Sequence, residues 1–176
     1  PTTVQLLRDL DDRQVEELNE QFERDRQERE DKYLKPPLDQ QIGKRTDRMQ
    51  ERVEQWLGNV TAAQRQRIHE WAEALNKQNQ LWLDNRAQWQ RSMVDAVRNR
   101  DQANFDERIA RLLQDREVYW TAPYRAAFPA VEQATIDLIV DLYDTADATQ
   151  RRHISERLQD MRRDLGSLDC LPATAD

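Results

Sequence analysis

The residues whose types and spacing could carry chemistry are few, and each constellation lacks a member. His69-Glu70-Trp71-Ala72-Glu73 begins like a hydrolytic zinc site, with an imidazole beside a carboxylate. Such a site needs a second imidazole one helical turn on, so that both rings reach one ion, and position 73 holds Glu. A di-iron bundle needs Glu-x-x-His on two helices, but the residues three before His69 and His153 are Gln66 and Gln150. Both histidines are therefore expected as hydrogen-bonded, partly exposed residues, with no metal bound.

No Gly-x-Ser-x-Gly nucleophile turn occurs, and three widely separated glycines cannot build a phosphate cradle. With 34 Asp and Glu side chains, chance carboxylate pairs are unavoidable, and none stands out as an acid–base pair. The sequence predicts a protein that is not an enzyme and needs no cofactor.

Indoles are the most informative side chains left. Trp56, Trp71, Trp82, Trp89 and Trp120 are many large rings for so hydrophilic a chain. Each ring buries on the order of 150 to 250 Å², so most are expected in a core. One or two could instead line a groove for an apolar peptide or acyl chain, and Trp71, Trp82 and Trp89 are the candidate binding residues. Trp71 lies off the line Ile68, Leu75, Trp82, Trp89 and is expected to be the most exposed of them.

The 176 residues suggest one domain, taken as residues 1–169 with 170–176 as a disordered tail. Nine glycines and prolines argue for an all-α chain rather than a turn-rich β fold. The net charge of -7 opposes a nucleic-acid backbone, and no run of 18 apolar residues could span a bilayer. Cys170 has no second cysteine to pair with.

The elements that must position these rings are announced by helix caps. Leu10-Asp11-Asp12-Arg13-Gln14, Val60-Thr61-Ala62-Ala63-Gln64 and Ala146-Asp147-Ala148-Thr149-Gln150 each put an oxygen-bearing side chain at an N-cap and an amide three residues later. In that arrangement each satisfies one of the helix's orphan donors. Asn104-x-x-Glu107 is a weaker fourth cap. About six helices in an elongated bundle follow. The first carries a charged stretch, 23–32, with Asp25/Arg29 and Glu28/Lys32 at i,i+4 spacing, expected to face solvent and to end at Pro36-Pro37. The second runs from about Leu38 to a Gly58 C-cap. The third, 62–99, is one long central helix with a coiled-coil-like seam or a helix pair broken within 76–80. Thr121 to Phe128, with Pro123 inside it and Pro129 after it, reads as a connector or a kinked turn. The stretch Val131, Ala134, Thr135, Leu138, Ile139, Leu142 is the expected central buried helix, and the last helix is expected to stop at Gly166.

The three glutamine-bearing turns resemble the LTxxQ motif of bacterial envelope proteins, among them periplasmic ATP-independent chaperones. The second keeps Thr61, the first keeps Leu10 with Asp11 for Thr, and the third has Ala146 and Asp147. The order of features over nearly the whole chain is similar to a proteobacterial family of helical envelope lipoproteins of unassigned activity. The matching passages are Arg52-Val53-Glu54-Gln55-Trp56-Leu57-Gly58, Trp82-Leu83-Asp84-Asn85-Arg86 with Gln88-Trp89-Gln90, and Gln150-Arg151-Arg152 with Arg157-Leu158. This resemblance implies a periplasmic protein held at the outer membrane by a lipid on an upstream cysteine. It also implies a non-enzymatic protein-binding role, either chaperone-like holding of unfolded clients or an adaptor docking one envelope partner through the charged helix or an exposed Trp.

Overall fold

In the computed structural model, residues 3–168 are described. The expected tail at 170–176, with Cys170, lies outside the described residues. The fold is all-α: α1 (Thr3–Arg8), α2 (Asp12–Tyr33), α3 (Leu38–Leu57), α4 (Ala62–Ala74), α5 (Gln78–Arg98), α6 (Phe105–Gln114), α7 (Ala122–Asp144) and α8 (Ala148–Leu168), with a 3₁₀ turn at Arg116–Tyr119. No strand occurs among the described residues. None of the helices there is long and apolar enough to cross a membrane.

Among the described residues, eight α-helices replace the expected six for identifiable reasons. The long third segment is a pair, α4 and α5, broken where Asn76 takes a left-handed φ of 38°. Asn tolerates that region better than other side chains. α1 is not among the expected helices, although Thr2-x-x-Gln5 has the same spacing as the other cap turns. Thr121 to Phe128 is not a connector, because α7 starts at Ala122. Pro123 sits in its first turn, where no N–H is needed, and Tyr124 N–H donates to Thr121 Oγ1 at 3.4 Å. Pro129 is carried inside the same helix. Gly166 does not stop α8, which continues to Leu168. Gly58 does end α3, with φ 75° and its N–H on Glu54 O at 2.8 Å. A side chain there meets strain rather than a clash, since an added Cβ would lie 3.8 Å from His153. Gly58→Ala is therefore predicted to cost about 1 kcal/mol in urea unfolding.

The chain falls into two compact units, residues 3–41 with 75–132 and residues 42–74 with 133–168. In the first, Val15, Met93, Ala96, Val97, Phe105, Ile109 and Leu112 form the core, with Leu10, Phe22 and Trp89 packed against it. Phe105 is fully buried at the start of α6, although nothing in its sequence neighbourhood singles it out. Ion pairs link the surface of α2 to the end of α5 and the turn after it, Arg98 to Glu16 at 2.8 Å and Arg100 to Asp12 at 2.5 Å. Each contributes little on its own.

In the second unit Val53, Leu57, Val60, Ile68, Trp71, Leu138 and Leu142 are buried. Trp71 is thus not the exposed ring: its Nε1 donates to Thr135 Oγ1 at 3.3 Å. Because the seam breaks after α4, the stripe that matters is the local one, Gln64, Ile68, Trp71 and Ala72, which has the 3.6-residue period of a short helix. Trp56 is the more exposed indole, at 38%. α7 is not a central buried helix either. It carries two apolar stripes, and the one containing Leu138 and Leu142 is inside, while Ile136, Ile139, Val140 and Tyr143 face outward.

Candidate functional site

Of the four caps read in the sequence, three form as capping boxes, while Asn104 is the N-cap of α6 without a side-chain cap hydrogen bond. Asp11 Oδ1 accepts from Gln14 N and Gln14 Oε1 from Asp11 N, at 2.8 and 2.9 Å. The same reciprocal pairs close at Thr61 with Gln64, 3.2 and 3.0 Å, and at Asp147 with Gln150, 2.8 and 3.1 Å. Val60 and Ala146, just before their N-caps, are buried, and Leu10 is half-buried, so each turn is pinned by an apolar anchor.

The structure brings two of the three together. In the second unit Gln64 and Gln150 are both buried. Gln64 Nε2 donates to Gln150 Oε1 at 3.1 Å, and Gln150 Nε2 donates to Gln64 Oε1 at 2.9 Å and to Asn59 O at 2.6 Å. Two helix starts, α4 and α8, are thereby joined through their capping amides. The third cap amide, Gln14, is exposed in the first unit. This arrangement is structural: the two amides bond each other, the Asn59 carbonyl and the N–H groups of their own caps.

His69 is hydrogen-bonded within the fold, as expected of it. His69 Nδ1 lies 3.2 Å from Thr46 Oγ1, and Nε2 is 3.5 Å from Glu73. Among the described residues no cluster of three or more His, Cys, Asp or Glu is placed to hold a metal ion.

Trp82 and Trp89 do line a groove. They lie on α5, seven residues apart and therefore on one face, and the groove of about 440 Å³ they share also involves Phe22, Tyr119, Trp120 and Tyr124. The rings are arranged edge to face or tilted. Trp82 meets Tyr33 at 5.8 Å between centroids and 88°, Phe22 meets Trp89 at 6.3 Å, and Trp120 meets Tyr124 at 5.2 Å and 85°. Trp89 Nε1 donates to Leu112 O at 2.8 Å, which fixes that indole while leaving one side to the groove. Trp120, Tyr119 and Tyr124, from the 3₁₀ turn and the start of α7, are members that spacing along α5 could not reveal. Asn85 holds that second wall in place by accepting from Thr121 N at 2.9 Å.

Arginines surround these rings. Arg29 lies over Trp82 at 5.7 Å, Arg116 over Trp89 at 5.8 Å and Arg125 over Trp120 at 6.0 Å, all to the centroid. Arg86 lines the groove and holds Asp25, with Nη2 to Oδ2 at 2.9 Å. Arg29 Nε takes the other oxygen at 2.8 Å, so the i,i+4 pair read from spacing forms. The charged stretch of α2 is consequently not a wholly solvated face, because Asp25 and Arg29 are drawn onto α5. Arg116 enters no ion pair with the described residues. A chain of net charge -7 thus presents a groove where cations outnumber carboxylates.

Burial alone would raise the Asp25 carboxyl pKa, but the hydrogen bonds and charges of Arg86 and Arg29 outweigh it and hold the group below its ordinary value. A group depressed in this way stabilises the fold above the unfolded pKa, about 3.9, and loses that contribution as pH falls through the lower folded value. Acid titration of unfolding should therefore be steeper for the native chain than for Asp25→Asn. That variant lacks the charge-assisted bonds at every pH, so its stability starts lower near neutrality and declines less below about pH 4.

The model of a family described as a family of unknown function, DUF6279, matches residues 1–125, and the chain belongs to that family. Every residue lining the aromatic groove lies within the matched stretch. Neither the curated proteins nor the solved structures contain a match to this chain.

Proposed function

We propose that this family member is a non-enzymatic polypeptide-binding protein whose aromatic groove takes unfolded segments presenting an aromatic side chain beside a carboxylate. The observation that carries this reading is Arg116. Its guanidinium stacks on Trp89 at 5.8 Å and enters no ion pair with the described residues. A carboxylate on a bound segment would satisfy it, while a neighbouring ring would find the faces of Trp82, Trp120 and Tyr124. Aromatic pairs each add about 0.5–1.5 kcal/mol beyond burial, and cation–π contacts add about 0.5–2 kcal/mol. Several such weak contacts allow broad selection and easy release without ATP, the behaviour of a holding chaperone.

Placement in the bacterial periplasm, on a lipid anchor at the outer membrane, is part of the same proposal. It is supported by the resemblance of the cap turns to the LTxxQ motif and of the helix order to envelope lipoproteins. The packing of two of those turns on each other through Gln64 and Gln150 gives the motif a physical reason to recur. Fractionation of cells expressing the native gene tests the address.

Light scattering of several unrelated unfolding proteins, with and without the purified chain and without ATP, tests the activity. Suppression of aggregation near equal stoichiometry across clients is expected. Failure to slow aggregation of any client contradicts it, and recovery of one stoichiometric envelope partner with no effect on unfolded clients would replace the holding role by that of an adaptor.

A further inference from the structure

Among the described residues, the second unit leaves large apolar side chains exposed on α3, α7 and α8, and that much exposed apolar area is uncommon in monomers. On α8, Leu158, Met161 and Leu165 are 53%, 44% and 62% exposed. On α7, Ile136, Ile139, Val140 and Tyr143 are 47–61% exposed. Trp56, Tyr143 and Ile154 border an almost wholly apolar groove of about 440 Å³. Eight large apolar side chains left about half open amount to on the order of 800 Å², what one partner of a standard interface contributes.

The pattern along α8 says what covers this surface. Ile154, Leu158, Met161 and Leu165 follow one another by four, three and four residues, the a/d spacing of a coiled-coil seam. With Leu158 and Leu165 at a and Ile154 and Met161 at d, the flanking e and g positions are Ser155, Arg157, Arg162 and Asp164. Two parallel copies would oppose Arg157 to Arg162. Two antiparallel copies oppose Arg157 to Asp164 twice and place Leu158 against Met161 and Ile154 against Leu165. Charge complementarity thus selects one orientation, and it is self-complementary about a twofold axis.

We infer that α8, with the outward stripe of α7, is the interface between two copies of this chain, the two α8 helices pairing antiparallel. Leu165 of each copy then reaches the Ile154 layer of the other, at the edge of the apolar groove. The inference uses no residue of the aromatic groove and stands independently of the polypeptide-binding proposal.

Sedimentation equilibrium of the whole chain over a concentration series tests it. The expected mass is twice the 21.0 kDa of one chain. Leu158→Asp and Leu165→Asp should each return the single-chain mass with unchanged helical circular dichroism, because both side chains are exposed and need not move to accept the charge. Arg157→Asp and Asp164→Arg should each weaken association, and the two together should restore it. Single-chain mass at every concentration overturns the inference, as does a doubled mass that survives both leucine substitutions. Strengthening by Arg157→Asp alone would indicate parallel helices and overturns it too. A single-chain mass combined with crosslinking of α8 to unfolded clients would assign this face to foreign polypeptide instead.

Discussion

Gln150→Ala is expected to lower the unfolding free energy by about 3 kcal/mol, whereas Gln14→Ala, the same change in the same motif, is expected to cost about 1 kcal/mol or less. The contrast arises from burial. Removing the Gln150 amide strips partners from Asp147 N, Asn59 O and Gln64 Nε2 together. Each buried polar group left unsatisfied costs about 1–3 kcal/mol. Gln14 is exposed, and water replaces it at both ends of its box. Gln64→Ala should also be costly, and the double variant Gln64→Ala/Gln150→Ala should cost less than the sum, by about 0.5–3 kcal/mol, because the mutual hydrogen bonds are counted in both single changes. Urea unfolding followed by far-ultraviolet circular dichroism measures all four. Equal effects at Gln14 and Gln150 would show that the buried pair contributes nothing beyond ordinary capping.

The second large effect is on binding. Arg116→Glu should weaken the holding of unfolded segments at least tenfold, equivalent to about 1.4 kcal/mol, because it both removes the cation over Trp89 and repels the carboxylate it is meant to receive. Arg116 is exposed in a 3₁₀ turn, so helicity and unfolding midpoint should barely change. Trp120→Ala should act in the same direction by removing a ring that faces Tyr124 and Phe128 at 5.2 and 4.6 Å. Arg152→Glu, an identical charge change at an exposed position of α8, is the control and should leave holding intact. Raising ionic strength should weaken native binding and narrow the gap to Arg116→Glu. Equal losses in Arg116→Glu and Arg152→Glu would mean that general charge, not the groove, governs association.

What the sequence made legible was local. Capping boxes depend on residues three apart, so Asp11/Gln14, Thr61/Gln64 and Asp147/Gln150 could be read directly and form as read. The all-α class followed from the same signals with the scarcity of Gly and Pro. Long-range pairing was not legible: nothing at position 64 announces that its amide meets that of position 150, 86 residues away. Burial was misjudged where a helix carries two apolar stripes. On α7 periodicity gave the inner stripe with Leu138 and Leu142 but offered no means of telling that Ile139 belongs to the outer one. Trp71 was misjudged for a different reason. A seven-residue seam was extended across Asn76, where the helix breaks, and the local stripe of α4 buries that ring. Two of the three candidate indoles, Trp82 and Trp89, do line a groove, because they share one uninterrupted helix face. Its opposite wall, Tyr119, Trp120 and Tyr124, comes from residues that only the tertiary fold brings near.

The claim that the aromatic groove receives unfolded polypeptide is most directly tested by hydrogen–deuterium exchange with and without an unfolded client. New protection should fall on the groove-bearing part of α5, on the 3₁₀ turn and on the first turns of α7, around Trp82, Trp89, Arg116 and Trp120. Protection confined to residues outside these segments, with the groove exchanging as in the free chain, would contradict it.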